Sequence, residues 1–563
     1  MGHALMKFLL PLLALLLLPT LAWAQNFGNI KPRTLLGNPD ASTSRPAAPV
    51  PMDNVGGVTI SPMSYGAVGD GVANDTAAVQ AAINAAQSVS GATPRRIVDL
   101  GPHCYGINAT LTITGAVTIQ GTGKGDRHFP DTCPSGFRAL VANLNQIEIQ
   151  GLGTILRDFT MVTKASVLPN TSGIAIHNVT ADTVVSGVSI FKPCIGISES
   201  GNTNAYYDNT IGLVKGAGCV AITVGRQSTN ANTVDPRFVS NLLFGDDTLA
   251  GLGGDAGMEI QDCGGCFVET NDILYFQVGT LIAPKTANQA LTWGFFNNTA
   301  LGDTDNLHDL VIRPVLASNY IFGLQFTGSW TANAQTGSPI LIDNTAGANI
   351  AGVRFLGHRA FSSGTVAGPN PLNVFELNPG SVAAMDGIAI ESSELCSQYN
   401  STGVGLKVLT NLFTDLTIRG NRFGNCDHGA SVGTMATGIQ LPTGVVGGQL
   451  MMITDNNFTG VTTPLLWTGA GEGAVVNNNL GLHGIASITA AATITLPNND
   501  IVAITGATPV QTMNGFWGVR NVSLINVSGL NFTAGGNICA GFPTGIVTNT
   551  LLTATWAGCW YIH

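Results

Sequence analysis

Charge is scarce in this chain. Asp, Glu, Lys and Arg make up 10% of 563 residues, the 33 acidic residues outnumber the 23 basic ones, and the formal net charge is −10. A basic stripe for nucleic acid is therefore missing, and so is the Lys/Arg-rich amphipathic helix of a membrane-surface binder. Long apolar runs are missing too: beyond the N-terminus no segment offers the roughly 18–20 uninterrupted apolar residues that span a bilayer, so no membrane insertion is expected. Disorder is excluded by the opposite imbalance, because 45% hydrophobic residues with so little charge can bury a core. Glycine, by contrast, is plentiful at 71 residues, and the composition points to a large all-β protein.

At the start, Met6-Lys7 precedes an apolar run over residues 8–18, and Ala22-Trp23-Ala24 places small residues where a signal peptidase reads. This predicts a signal peptide over residues 1–24, cleaved before Gln25, and a secreted protein of extracellular or periplasmic destination. An uncleaved anchor is the alternative, although eleven apolar residues are too few to span a bilayer. Residues 25–57 are polar, contain Pro32, Pro39, Pro46, Pro49 and Pro51, and lack periodicity, which predicts a linker. Ten cysteines in an exported chain predict disulfides. They fall in close sequence pairs: Cys104 with Cys133, Cys194 with Cys219, Cys263 with Cys266, Cys396 with Cys426, and Cys539 with Cys559. Cys263-Gly264-Gly265-Cys266 lacks the second pair or the histidine that a metal site needs.

Residues 65–86 carry the strongest local signal. Gly66, Gly69 and Gly71 permit positive φ in a tight loop, Asp75 or Thr76 can cap a helix, and Val79, Ala82, Ile83 and Ala86 then repeat at helical spacing. The segment Tyr65-Gly66-Ala67-Val68-Gly69-Asp70-Gly71-Val72-Ala73-Asn74-Asp75-Thr76, with the helix after it, resembles the N-terminal segment of the pectate lyase-like superfamily, in the subset related to polygalacturonases, rhamnogalacturonases and epimerases. The resemblance implies a right-handed parallel β-helix whose first open edge is capped by the short helix. Asp70 and Asp75 are then expected to be structural.

A weak repeat supports the solenoid. An apolar residue, two variable residues, Asn, one variable residue and another apolar residue recur as Phe238-Val239-Ser240-Asn241-Leu242-Leu243, and likewise around Asn271, Asn421, Asn456 and Asn478. Residues 307–312 and 350–355 look like variants without the Asn. This suits a strand, a sharp bend and a second strand, with Asn taking the left-handed bend and bonding to its counterpart in the next coil. From residue 485 short alternating strands, such as Ala492-Thr493-Ile494-Thr495-Leu496, suggest a different texture. The expected fold class is all-β: a right-handed parallel β-helix over residues 58–484, with a short N-terminal capping helix and a small C-terminal β-rich module over 485–563, suited to capping or homo-oligomerisation.

For chemistry, Asp246, Asp247, Asp255, Glu259 and Asp262 place five carboxyl groups within 17 positions of a charge-poor chain. The resemblance implies carboxyl groups on adjacent coils, one donating a proton to a leaving oxygen and another activating water. Asp246, Asp247, Asp255 and Glu259 are the candidate catalytic residues. Of the polygalacturonase motifs only Asp-Asp has a match; Asn232-Thr233-Val234-Asp235 carries an insertion, Gly357-His358-Arg359 lacks the final glycine, and no Arg-x-Lys follows. A lyase would instead need calcium on clustered carboxylates and a base such as Arg313 or Arg354. No cofactor is required by the spacing; Ca2+ is the one that these carboxylates allow. His308 beside Asp309 offers an acid–base pair or an exposed turn, and Tyr275, Phe276, Trp293, Phe295, Phe296 and Trp330 offer either sugar-stacking rings or core. The expected partner is a polysaccharide. The expected function is a secreted, polysaccharide-directed β-helix protein, a glycoside hydrolase or polysaccharide lyase with a lateral groove; the alternative is a non-catalytic, tailspike-like or adhesin-like glycan binder.

Overall fold

The structure, a computed structural model, describes residues 59–563 except for 88–95, 163–170, 226–232, 247–253, 363–372, 381–384, 398–402, 411–412, 425–434, 443–449, 467–473, 481–485, 492, 496–500, 506–507, 515–520, 529–531, 534–535, 542–550 and 557–558. The expected signal peptide and linker lie outside the described residues. Short strands recur in a fixed cycle and build three long sheets. The first has 15 strands, from Thr59–Ile60 to Ala474–Asn477; the second has 13, from Asp70–Asn74 to Arg422–Gly424; the third has 13, from Leu111–Ile113 to Val461–Leu466. A fourth sheet of five strands, from Cys263–Gly264 to Met385–Asp386, lies between the third and the first along the coil. Neighbouring strands come from successive coils and pair in parallel, as Phe238↔Val268 and Val268↔Phe296 do. This is the parallel β-helix expected from the sequence, with the right-handed crossover that L-residues favour.

Parallel register places equivalent side chains one above another. Inside the first sheet, Tyr206, Phe238, Phe296, Phe326 and Phe355 are fully buried. Phe296 stacks on Phe326 at 4.7 Å and Phe326 on Phe355 at 4.6 Å, close to the spacing of neighbouring strands, so the coil pitch itself sets the ring contact.

The bend from the first sheet to the second divides two tasks between two residues. The residue before each ladder Asn takes positive φ: Asp208 at 53°, Ser240 at 56°, Thr270 at 53°, Gly420 at 66°, Asp455 at 59° and Asn478 at 53°. The Asn itself forms the ladder. Asn241 Nδ2 donates to Tyr206 O at 3.0 Å and to Asn271 Oδ1 at 2.9 Å, while its Oδ1 accepts from Asn209 N at 3.1 Å and Asn209 Nδ2 at 3.0 Å. The repeat in the sequence assigns both tasks to the Asn, whereas the structure separates them. The repeat also points to Asn478, but the ladder position is held by Asn479, accepting from Asn456 N at 3.0 Å. Residues 307–312 are mostly the third-sheet strand His308–Ile312, and 350–355 span the turn from the fourth sheet into the first; the ladder positions in this region are filled by Thr299, Ser329 and His358. Asn241→Ala removes four side-chain bonds from a buried bend and is expected to cost roughly 2–4 kcal/mol, read by chemical denaturation, whereas Val239→Ala on the outer face costs less than about 1 kcal/mol.

The capping helix Thr76–Ala86 buries Val79, Ala82, Ile83 and Ala86, the apolar stripe of the sequence. Its Gln80 closes the open edge of the third sheet: Nε2 donates to Thr112 O at 2.9 Å, and Oε1 accepts from Thr112 N at 2.8 Å. A side-chain amide thus stands where another strand would be. Asp75 precedes the helix, but its carboxylate accepts from Val68 N at 2.7 Å and Gly69 N at 3.0 Å, holding the glycine turn instead of capping the helix. Disulfides join Cys104–Cys133, Cys194–Cys219, Cys263–Cys266 and Cys539–Cys559, as the close spacing suggested. Cys396 is also disulfide-bonded, and Cys426 lies outside the described residues. Among the described residues no helix is long and apolar enough to cross a membrane.

Strands Ala486–Thr489, Ile501–Thr505, Asn521–Ser528, Leu551–Trp556 and Trp560–Ile562 form a separate sheet that changes from parallel to antiparallel pairing after Asn521–Ser528. Its apolar residues, with Trp560 2% exposed and Ile504 and Leu524 fully buried, form their own cluster. The Trp560 indole donates to Met513 O at 2.8 Å.

Candidate functional site

One outer row of the third sheet stands apart. Register aligns Thr112, Glu148, His177, Ser198, Thr223, Glu259, Leu281, Val311, Leu341, Glu376 and Lys407 on successive coils. The apolar residues on either side, Ile176, Ile197, Ile222 and Met258 before and Val224, Ile260 and Ile282 after, all belong to the main core. Alternation turns the row itself outward. From Glu148 to Glu259 every position is polar, and from Leu281 to Leu341 every position is apolar.

Within the polar stretch Ser198 and Thr223 have no solvent exposure. The Oγ of Ser198, the Oγ1 of Thr223 and the Nε2 of His177 are buried and find no hydrogen-bond partner among the described residues. Buried polar atoms are ordinarily satisfied, so three neighbouring exceptions set this stretch apart from the rest of the row. Burial holds the His177 imidazole below its usual value, with the Glu148 carboxylate opposing it. Glu259, 1% exposed, accepts from the Lys285 ammonium. Lys285 is borne on the loop after Val278–Ile282, and Ala290 N, where that loop enters the strand Ala290–Thr292, donates to Asp262 Oδ1 at 3.3 Å. Burial pushes the Asp262 carboxyl up to about 6. The loop therefore touches two carboxyl groups, one held by a cation and one biased towards its protonated form.

The residues singled out in the sequence divide between two ends of one strand. Asp246 pairs with Lys215 at 3.3 Å, and Asp255 accepts from Gly218 N at 2.8 Å, so both are tied to the turn that Cys194–Cys219 braces. Glu259 lies four positions beyond Asp255 along Ala256–Ile260, roughly 13 Å away by strand rise. Asp247 lies outside the described residues. The strand thus sets Glu259 beside Thr223 and Lys285, three positions before Asp262, and leaves Asp246 and Asp255 at the opposite edge.

His308 and Asp309 point to opposite sides of Val278's neighbouring strand: His308 Nδ1 meets Ser338 O at 2.7 Å, while Asp309 is fully buried. They form neither an acid–base pair nor an exposed turn. Arg313 is paired with Asp343 at 2.9 Å, and Arg354 with Glu391 at 2.6 Å on the first sheet. Of the aromatic residues, Phe276 and Phe296 are core, whereas Trp293 is 52% exposed and stands edge-on to Phe322. Among the described residues no group of three or more His, Cys, Asp or Glu is arranged to share a metal ion. Glu148, His177, Ser198, Thr223 and Lys285 were missed. The signal available was the triplet Ile147-Glu148-Ile149, Ile176-His177-Asn178, Ile197-Ser198-Glu199, Ile222-Thr223-Val224 and Met258-Glu259-Ile260, which becomes legible once register is known.

No family model matches the chain, and no curated protein matches it. Solved structures share its general course at low identity. The A-module of mannuronan C-5 epimerase AlgE6 from Azotobacter vinelandii is 14% identical, with a TM-score of 0.47 over 75% of this chain and 98% of that one. Dettilon tailspike protein is 13% identical, with a TM-score of 0.44 over 73% of this chain and 68% of that one. The catalytic unit of the GH87 α-1,3-glucanase from Streptomyces thermodiastaticus is 14% identical, with a TM-score of 0.36 over 75% and 70%.

Proposed function

We propose that the protein is exported and engages an extended polysaccharide along the outer face of the third sheet, cleaving it by acid–base chemistry centred on Glu259. The observation that carries this reading is the polar row from Glu148 to Glu259, with its unpartnered hydroxyls and imidazole nitrogen. Sugar hydroxyls both donate and accept, and water bridging them to the buried Ser198, Thr223 and His177 atoms on consecutive coils would complete those bonds. In hydrolysis, Asp262 supplies the proton to the departing glycosidic oxygen. Glu259 takes the proton of the attacking water, and Lys285 keeps its carboxylate in place. Two carboxyl groups in unlike environments are the usual way to assign acid and base.

The competing reading is a glycan binder without turnover. It is favoured by the engagement of Asp246 and Asp255 in local bonds, and it assigns assembly to the C-terminal sheet with its own apolar cluster. Pectic, alginate-like and neutral polysaccharides, each incubated with and without calcium, distinguish the two. New reducing ends without unsaturated-uronate absorbance are the expected result; absorbance with reducing ends makes the protein a lyase, and a calcium requirement assigns the ion to the site. Silence with retained glycan binding and a trimeric mass by light scattering overturns cleavage in favour of the binder.

A further inference from the structure

We infer that the corner between the first and second sheets holds a separate binding pocket for a carboxylate-bearing sugar ring, independent of the third-sheet face. A depression of about 390 Å³ is lined there by Gly328, Trp330, Gly357, Arg359 and Phe361. Its origin is a change in one structural position. The left-handed residue of the bend carries a side chain in the coils on either side, as Ser240, Thr270, Asn298 and Ser392. In two successive coils it is glycine: Gly328 at φ 61° and Gly357 at φ 62°. An added Cβ at Gly357 would meet nothing nearer than Gly328 N at 4.0 Å, and one at Gly328 would meet the Asn298 amide tip at 2.6 Å. The pocket opens at Gly357, where no side chain stands, while the Asn298 amide closes the room at Gly328.

Its walls have the chemistry of an acidic sugar site. Two residues after each glycine, Trp330 and Arg359 lie side by side in register, facing outward because Thr331 and Ala360 between them and the next positions are buried. The half-buried Trp330 offers an apolar ring face for the C–H side of a pyranose. Arg359, 64% exposed, offers a planar fork to a carboxylate. The row continues as Arg359, Glu394 and Arg422, two guanidinium groups to one carboxylate, with Arg359 Nε 3.5 Å from Glu394. In a chain of net charge −10 this is a local cationic spot, complementary to an anion.

Calorimetric titration with trigalacturonate, against maltotriose as the neutral control, tests the inference. Trigalacturonate is expected to bind with a Kd of about 1 mM or tighter and to outcompete maltotriose. Gly357→Asn fills the pocket at the smallest backbone cost a side chain allows, since Asn298 occupies the same bend position at φ 46°. It and Trp330→Ala are each expected to weaken binding at least about 10-fold. Arg359→Ala is expected to erase the preference for the acidic trisaccharide. Unchanged binding in Gly357→Asn, or equal affinity for the two sugars in the unaltered protein, overturns the inference. His177→Ala, on the third-sheet row assigned to the polysaccharide, should leave this binding intact, and binding that is lost there instead places the ligand on the third sheet and removes the pocket.

Discussion

Glu259→Gln is expected to lower turnover of a responsive polysaccharide about 10²–10⁴-fold while leaving the fold and glycan affinity in place. The amide has the same shape, and its oxygen can still accept from Lys285, so the β-helix loses a proton acceptor and little else. Glu259 is 1% exposed, and a buried carboxylate without its cation costs several kcal/mol. Lys285→Met therefore serves as a positioning control: it is expected to lower kcat and to shift the pH profile, with a loss of stability that the Gln variant does not show. Asp255→Asn, at the other edge of the strand, is expected to leave kcat within about threefold, because that carboxylate bonds Gly218 N and lies beyond reach of the same sugar linkage. Rates measured at saturating substrate, with circular dichroism for each variant, decide the matter. Equal turnover in Glu259→Gln and the unaltered protein would move the acid–base chemistry away from this face.

The second large effect concerns stability against pH. Glu199, Asp262, Asp272, Asp305 and Asp309 all have carboxyl groups raised by burial. Asp305 and Asp309 lie together inside the coil near Asp303; burial raises both, Asp305 raises Asp309 further, and the hydrogen bond with Asp309 partly lowers Asp305. Asp305 Oδ1 accepts from Phe276 N at 2.7 Å, whereas Asp309, among the described residues, is met only weakly by the Ala334 amide and by the Asp305 carboxyl. A group whose folded pKa is raised contributes stability that is fully present below its unfolded value, near 3.8, and that disappears as pH rises through the folded value. For Asp262 the loss is complete above about 6, and the buried pair carries it further. Asp70 and Asp126 shift the opposite way, but both are exposed and screened. Burial lowers His177, His308 and His358, which adds stability as pH rises through their unfolded value near 6.5, so the fall in melting temperature from the buried carboxyls is expected between pH 7 and pH 9. Asp309→Asn, which needs no proton, should stabilise the protein at pH 8 by about 1–4 kcal/mol and flatten that fall. A melting temperature that rises over the same range would mean that the pair is ionised and compensated.

Much of this was legible in the sequence because it depends on neighbours along the chain. The stripe Val79, Ala82, Ile83 and Ala86 specified its helix by spacing alone, and Asn241, Asn271, Asn421 and Asn456 marked the bend that their amides connect. The close pairing of cysteines followed from coils that bring nearby segments together. Less was legible at the candidate site. Ser198 and Thr223 look like ordinary strand residues, and Lys285 stands 26 positions from Glu259. The one-residue offset at Asn478 has the same origin, since which of two adjacent asparagines enters the ladder depends on the coil beneath.

The sequence by itself determined the solenoid, its capping helix and the bends between its sheets, because periodicity, glycine and asparagine act within a few residues. Only the tertiary structure decided which side chains share a face. Register between coils is set by insertions of varying length in the turns, so the alignment of His177, Ser198, Thr223 and Glu259, and the glycine gap beside Trp330 and Arg359, arise only when successive coils stack.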